Sequence, residues 1–442
     1  MVHLERKLMK LLIKGGRVID PASKTDKIAD ILVENGKIVS IGRVLGTRHE
    51  VHPAPNLVRG KRDTRVIDAK GKIVVPGLID MHTHLREPGH EEEETIATGT
   101  RAAAKGGITT VCCMPNTHPV IDNQTTVEFI LLKAKNEGAV NVLPVGAITK
   151  GSLGEELSEI GELKKAGVVA ISDDGEAVMN ALVMRRALEY AKMFDLPVIA
   201  HCEDKNLSKD GVMNEGCIST ILGLRGIPKE AEEVMVARDI ILAELTGGHL
   251  HIAHVSTAGS VELIRQAKKK GVKVTCETAP QYFTLTEETV SQFDTNTKVN
   301  PPLRTKLALE AIKEGLKDGI IDCIATDHAP HTEEEKNKEY DLAPFGIIGL
   351  ETLFSLIITE LVNKKILSLM DAIAKVTINP ARVLGLNHGE LKVGFPADIT
   401  IVDLNKKWKV ENFVSKSKNS PFLGWQLQGQ VVNTIVDGKI VY

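Results

Sequence analysis

Two histidines one residue apart close the apolar run that ends Asp80-Met81-His82-Thr83-His84. Alternate residues of a strand point to the same side, so both imidazoles could grip one ion. Four further apolar runs end on ionisable residues: Asp173-Asp174, His201, His254 and Asp327. One such histidine would ordinarily be a satisfied core residue. Five strand ends together are different, because unpaired ionisable groups converging in an apolar core would be costly. Imidazoles and carboxylates from separate strands make a divalent-metal site, and nitrogen with oxygen donors favours zinc. Only one of Asp173 and Asp174 can readily face such a site, and register alone leaves the choice open. His249 and His251 lie near His254, but only one of the three need reach a metal, and His249 reads as structural. Cys202, beside His201, reads as a buried structural cysteine rather than a thiolate ligand.

The elements that must carry these residues are eight apolar runs: 73–81, 109–114, 142–148, 168–174, 197–201, 250–254, 272–277 and 320–327. Segments of helical period intervene, clearest in 183–193 and 231–245, and the alternation indicates parallel β/α units. Eight units in series predict an α/β fold of the (β/α)8 TIM-barrel type, with an open doubly wound sheet as the alternative. A barrel places its active site at the C-terminal ends of its strands, where the ionisable residues fall. Short alternating strands occur at both chain ends, with Asn35-Gly36 a hairpin signal in the first set. Neither set is large enough to fold alone, so the two ends should pair into one small β-sandwich domain. The expected division is residues 1–75 plus 388–442 for that domain and 76–387 for the barrel.

Composition removes other classes. The 442 residues are 43% hydrophobic and 26% charged, which suits a globular chain with a large core. The formal charge of −3 is interspersed, which argues against a nucleic-acid surface. Lys268-Lys269-Lys270 reads as a solvated helix end. Six cysteines without a CxxC pair, mostly in apolar runs, are a reduced pattern, and no stretch approaches the ~20 apolar residues of a membrane span. Without a signal-peptide core, a cytoplasmic location is expected.

The segments Val75-Pro76-Gly77-Leu78-Ile79-Asp80-Met81-His82-Thr83-His84 and Ala325-Thr326-Asp327-His328-Ala329-Pro330-His331 resemble the amidohydrolase superfamily. Leu85-Arg86-Glu87-Pro88-Gly89, Met114-Pro115-Asn116-Thr117, Ser172-Asp173-Asp174-Gly175, His201-Cys202-Glu203-Asp204, His254-Val255-Ser256-Thr257 and Val299-Asn300-Pro301-Pro302-Leu303-Arg304 narrow the resemblance to class I dihydroorotases, from about Leu11 to the C-terminus. The resemblance implies one or two zinc ions on His82, His84, Asp174, His201, His254 and Asp327, with Asp327 also the catalytic acid/base. Many relatives carry at the fourth strand end a lysine that must react with carbon dioxide; Asp174 already supplies a carboxylate. Arg86, Asn116 and His331 would hold a substrate carboxylate, Asn300 and the Phe345-Gly346 backbone the ring, with His84 also facing the substrate.

The implied reaction interconverts dihydroorotate and N-carbamoyl-aspartate in pyrimidine synthesis. A guanidinium suits a carboxylate because its planar fork donates two hydrogen bonds; an ion pair to the Glu91–Glu94 run is the other reading of Arg86. Hydantoinases, dihydropyrimidinases and allantoinases look similar at the metal ligands, and a non-catalytic barrel acting as an assembly partner is the reading from a different class. The resemblance admits a homodimer and a complex with aspartate carbamoyltransferase. Met1–Lys10 is an extension to the family pattern, and Gly46–Arg65 is longer than its usual hairpin.

Overall fold

A computed structural model describes residues 10–43 and 64–442. Of the N-terminal extension and the 46–65 stretch, only Lys10, Thr64 and Arg65 are among them. Eight parallel strands form a nearly closed barrel: β1 (Leu78–Thr83), β2 (Ile108–Cys113), β3 (Asn141–Ala147), β4 (Ala170–Ser172), β5 (Val198–Ala200), β6 (Leu250–Ile252), β7 (Val274–Thr278) and β8 (Cys323–Ile324). Each pairs with the next in sequence order, as series-connected β/α units require. The seam between β8 and β1 is joined just beyond the strand ends. Thr83 bridges to His328, and the His84 amide donates to His328 O at 2.8 Å. The helical segments read from periodicity appear as Ala181–Lys192 and Glu230–Thr246.

Small and flexible side chains fill the barrel. Met81, Cys112, Val145, Ala170, Ile199, Ala253, Cys323 and Ala325 form one interior cluster, joined by Val383 and Leu384 from the segment around the helix Ile378–Val383. Cysteine packs here as a small apolar residue, and all six cysteines are free thiols, five of them buried. No helix among the described residues is long and apolar enough to cross a membrane.

One run divides differently from its reading as a single strand. Residues 73–81 form two strands: Ile73–Pro76 lies between Lys10–Asp20 and Ile399–Lys409 in the sheet built from the chain ends, and only β1 enters the barrel. Gly77 makes the transition, its amide donating to Asp398 O at 2.8 Å. A Cβ there would lie 2.1 Å from Thr109 Oγ1, so the crossing needs glycine. The terminal strands form one branched, eight-stranded mixed sheet around its own core, which includes Ile13, Ile31, Ile38, Val74, Ile399 and Ile435. Asn35 and Gly36, at φ 53° and 79°, make the tight turn between Thr25–Glu34 and Lys37–Gly42. This second core supports, as a proposal, the division into 1–75 plus 388–442 and 76–387, with Ile19, Ile73, Val75, Val402, Val431 and Val436 packing the terminal sheet onto the barrel's own cluster.

Gly106 ends the helix Ile96–Lys105 at a close approach to the segment after β8, where a Cβ would stand 2.1 Å from Leu350 O. Backbone cannot yield as a side-chain tip can. Gly106→Ala should therefore lower stability by about 1–3 kcal/mol, the range for overpacking a dense interior, measured as a reduced urea midpoint. An unchanged midpoint would show that the two segments separate freely.

Candidate active site

Each strand delivers its polar residue at or just beyond its C-terminal end. His82 is the next-to-last residue of β1 and His84 lies one residue past it; Asp174, His201, His254 and Asp327 follow β4, β5, β6 and β8. All six converge at the barrel mouth. Asp174 is the shared centre: its Oδ2 lies 3.1 Å from His82 Nε2 and 3.5 Å from His84 Nε2. Its Oδ1 lies 3.5 Å from His201 Nδ1 and 3.4 Å from His254 Nε2. Asp327 Oδ1 completes the first group, 3.2 Å from His84 Nε2 and 3.6 Å from His82 Nε2. Asp173 turns away, accepting from the Thr149 amide at 3.0 Å and from the Thr149 hydroxyl. Tertiary structure thus decides between the two aspartates that register left open.

These spacings fit metal ligands. Two donors bound to one tetrahedral zinc at about 2.0–2.1 Å stand roughly 3.3 Å apart, and the contacts just given cluster around that value. Three atoms of the cluster, His82 Nε2, Asp174 Oδ1 and His254 Nδ1, are buried without a hydrogen bond, and for the two that face into the centre, His82 Nε2 and Asp174 Oδ1, this is costly unless a cation meets them. The tautomers agree. His82 Nδ1 donates to Glu277 Oε1 at 2.6 Å and His84 Nδ1 to Asn116 Oδ1 at 2.8 Å. Each bond puts a ring proton on the outer nitrogen and turns Nε2 toward the site, where its lone pair is available to a cation that displaces the second proton.

Electrostatics point the same way. Burial opposes charge on the imidazoles, yet Asp174 and Glu277 hold His82 well above the ordinary histidine value, and Asp174 and Glu203 hold His201 at about 9. Burial likewise opposes ionisation of Asp174, but the surrounding imidazoles, His82 foremost, hold it well below the carboxylate range. Glu277, despite its burial, is held at about 2 by His82 and His251. The cluster attracts positive charge, which a divalent cation would supply.

A cavity of about 890 Å³ opens over this centre. Every residue assigned to the substrate from the sequence lines it: His84, Arg86, Asn116, Asn300, His331, Phe345 and Gly346. Their present partners are specific. Arg86 Nε lies 2.6 Å from Glu93 Oε2 and donates to Pro330 O at 3.1 Å, while Nη2 lies 3.2 Å from His331 Nε2. The ion pair to the acidic run is therefore real, and it holds the guanidinium at the pocket wall. Glu93, His331 and Glu335 gather in a further acidic group, but the adjacent Arg86 already supplies its positive charge. Asn300 donates to Glu203 Oε2 at 3.1 Å, and His331 Nε2 lies 2.8 Å from Phe345 O. Arg86, His254 and Asp327 sit at φ 64°, 33° and 51°, strained values for non-glycine residues that often mark functional sites.

Sequence reading passed over several residues that shape this centre. Glu277 ends the seventh run, and that position was its signal. Glu203 lies two residues after His201, and its Oε2 is 3.2 Å from His201 Nε2. Asp80 accepts from the Thr326 hydroxyl at 2.5 Å and its amide at 3.1 Å, which ties β1 to the segment after β8. Burial raises its carboxyl to about 7. Other motif residues serve the frame. Thr257 caps the helix Ala258–Lys269, and buried Arg304 bonds Asn214 and the Ile227 carbonyl.

Because Glu277 bonds the outer nitrogen of His82 rather than facing the shared centre, Glu277→Ala should weaken metal binding by about 10–100-fold, the usual effect of losing such a partner. Competition with a fluorescent chelator measures this. Wild-type affinity would remove Glu277 from the design of the site.

Comparison with known proteins agrees with this geometry. Residues 71–260 match a family model described as dihydro-orotase-like, and residues 243–442 match one for the amidohydrolase family. A dihydroorotase of Endomicrobium trichonymphae is 63% identical over 98% of this chain and 100% of the relative. One from Pelotomaculum thermopropionicum is 58% identical over 98% of each. Among solved structures, the L-hydantoinase (dihydropyrimidinase) of Arthrobacter aurescens superposes with a TM-score of 0.85 at 28% identity, covering 97% of this chain and 95% of that one. The dihydropyrimidinase of Brevibacillus agri gives 0.82 at 26%, covering 98% and 95%. The extent and identity of these matches show that the chain belongs to the dihydroorotase family of the amidohydrolases.

Proposed function

We propose that this enzyme interconverts dihydroorotate and N-carbamoyl-aspartate with zinc at the barrel mouth. The observation that carries the reading is one cavity in which a half-buried arginine, Arg86, accompanies two donor groups that share Asp174. The relatives at 58–63% identity are named for the same activity. Two donor groups support two ions: His82, His84, Asp174 and Asp327 for one, and Asp174, His201 and His254 for the other. Bound zinc supplies Lewis acidity, polarising the ring carbonyl and lowering the pKa of water to about 7.

The protein groups do the rest. Asp327 accepts the proton that water gives up as its oxygen bonds to the ring carbonyl carbon. It then delivers that proton to the ring nitrogen as the carbon–nitrogen bond breaks, leaving a carbamoyl NH2 and a carboxylic acid that ionises by releasing the second water proton to solvent. Ring closure moves the same proton backwards. Arg86, with Nε held by Glu93 and Pro330, offers its remaining N–H groups to the substrate carboxylate. Asn116, with Oδ1 engaged by His84, has its amide nitrogen left to donate. His331 adds a further polar group to the carboxylate end, while Asn300 and the Phe345-Gly346 backbone meet the ring.

Hydantoin, dihydropyrimidine and allantoin rings would use the same metal donors but give Arg86 no carboxylate to bind. A non-catalytic barrel is disfavoured because every candidate ligand is retained in a convergent position. Resemblance alone supports a homodimer or a complex with aspartate carbamoyltransferase. Six free thiols support a cytoplasmic location.

Metal analysis of the purified protein should find zinc, and a chelator should abolish turnover in both directions; full activity after complete removal would refute the metal role. Asp327→Asn should keep the fold and lose about 10²–10⁴-fold in kcat, the usual contribution of a positioned acid/base, and wild-type turnover would take Asp327 out of the mechanism. Arg86→Ala should keep its metal while kcat/KM for dihydroorotate falls about 10–100-fold, as expected for a lost charge-assisted hydrogen bond. Normal handling of dihydroorotate by that variant would show that the carboxylate binds elsewhere.

A further inference from the structure

Two buried lysines beside the pocket have no part in the chemistry above. Lys298 and Lys336 are 2% and 5% exposed, although lysine is almost never buried unless paired. Their ammonium groups bond backbone carbonyls. Lys336 Nζ donates to Pro344 O and Gly346 O, both at 2.9 Å. Lys298 Nζ donates to Asp341 O at 3.0 Å and lies 4.7 Å from the Phe345 ring centre. Among the described residues, neither forms an ion pair with a carboxylate.

All three carbonyls belong to the segment 340–346, which contains no helix or strand. Asp341, Ala343, Phe345 and Gly346 line the cavity, as does Lys298 itself. The Lys298 carbonyl accepts from the Gly346 amide at 2.9 Å, so one residue grips the segment through both its main chain and its side chain. An ammonium has three donors and no acceptor, which lets it gather carbonyls two residues apart that turn toward one point. A neutral amide or hydroxyl at the same place would bring fewer donors or an unmatched acceptor.

The arrangement carries a cost. Burial pushes Lys336 down to about 7, with the charge of Lys298 adding to the effect, and pushes Lys298 down to about 8. Two largely buried amino groups beneath one irregular segment are a poor means of general stabilisation. They do suit a segment whose backbone must be held within a fraction of an ångström of a bound ring.

We propose that Lys336 and Lys298 are positioning residues that clamp the 340–346 segment and so set the Phe345-Gly346 backbone against the substrate ring. The inference rests on the reading of that backbone as a ring contact. Gly346 shows how little slack there is: its φ is +131°, and a Cβ would stand 2.8 Å from Ala329 Cβ.

The variants Lys336→Met and Lys298→Met keep much of the side-chain length and remove the donors. Three readouts apply to the full-length, metal-loaded protein: metal content, hydrogen exchange across 338–348 with 198–200 as control, and steady-state kinetics with dihydroorotate. The clamp predicts unchanged metal content and faster exchange in 338–348 alone. It also predicts a KM raised about ten-fold, with kcat changed far less, the size expected for a lost charged hydrogen bond. Lys336→Arg, which retains donors, should recover part of the KM. Unchanged exchange in 338–348 overturns the clamp. Faster exchange with wild-type KM overturns its role toward the ring, and parallel loss of metal and kcat shows a general structural role instead. If Lys336→Met fails to fold, Lys298→Met decides by the same criteria. Absence of dihydroorotate turnover in the wild type would refute the proposed activity, while the exchange result would still decide whether the lysines hold the segment.

Discussion

A carboxylate buried among four imidazoles needs positive charge close beside it, and Asp174 occupies that position. Its two oxygens face different histidine pairs, His82 with His84 and His201 with His254. Such a group is stable only where positive charge is drawn in and held, because the barrel mouth offers little water to screen it. The rest of the centre follows from this constraint. Outer partners turn ring nitrogens inward, Asp327 stands beside the first pair, and the cavity opens directly above.

The barrel makes that convergence cheap in conformational terms. Parallel strands that all run the same way bring their C-terminal ends to one rim, so residues hundreds of positions apart meet without long loops. The seam is joined at the same level, through Asp80 with Thr326 and Thr83 with His328. Closing the barrel and assembling the site are therefore one event. The left-handed backbone at His254 and Asp327 is part of the same economy, since each strand must stop abruptly for its last side chain to turn inward.

Above the rim, charge is balanced before any substrate arrives. Glu93 neutralises Arg86 while fixing its orientation, and His331 stands against both. The proposed carboxylate site is thus a set of directed donors held by a buried counter-charge, which limits the desolvation cost of keeping a guanidinium there. Solved hydantoinase and dihydropyrimidinase structures share the frame, and one frame can carry different chemistries through the side chains and loops at its rim.

Local pattern was enough to determine the eight strands, the hairpin at Asn35-Gly36 and the ionisable residue at five strand ends, because periodicity and turn chemistry are written over short stretches. It also sufficed for the resemblance, whose motifs are contiguous. Tertiary structure decided what depends on register and on distant neighbours. It selected Asp174 over Asp173, which differ only in the side to which each turns after β4. It split 73–81 between two sheets at Gly77, because the space beside Thr109 exists only once β2 is in place. It revealed Glu277 behind His82, Glu93 behind Arg86 and the two lysines beneath 340–346, since the value of a buried charge is set by partners that the chain brings together only on folding.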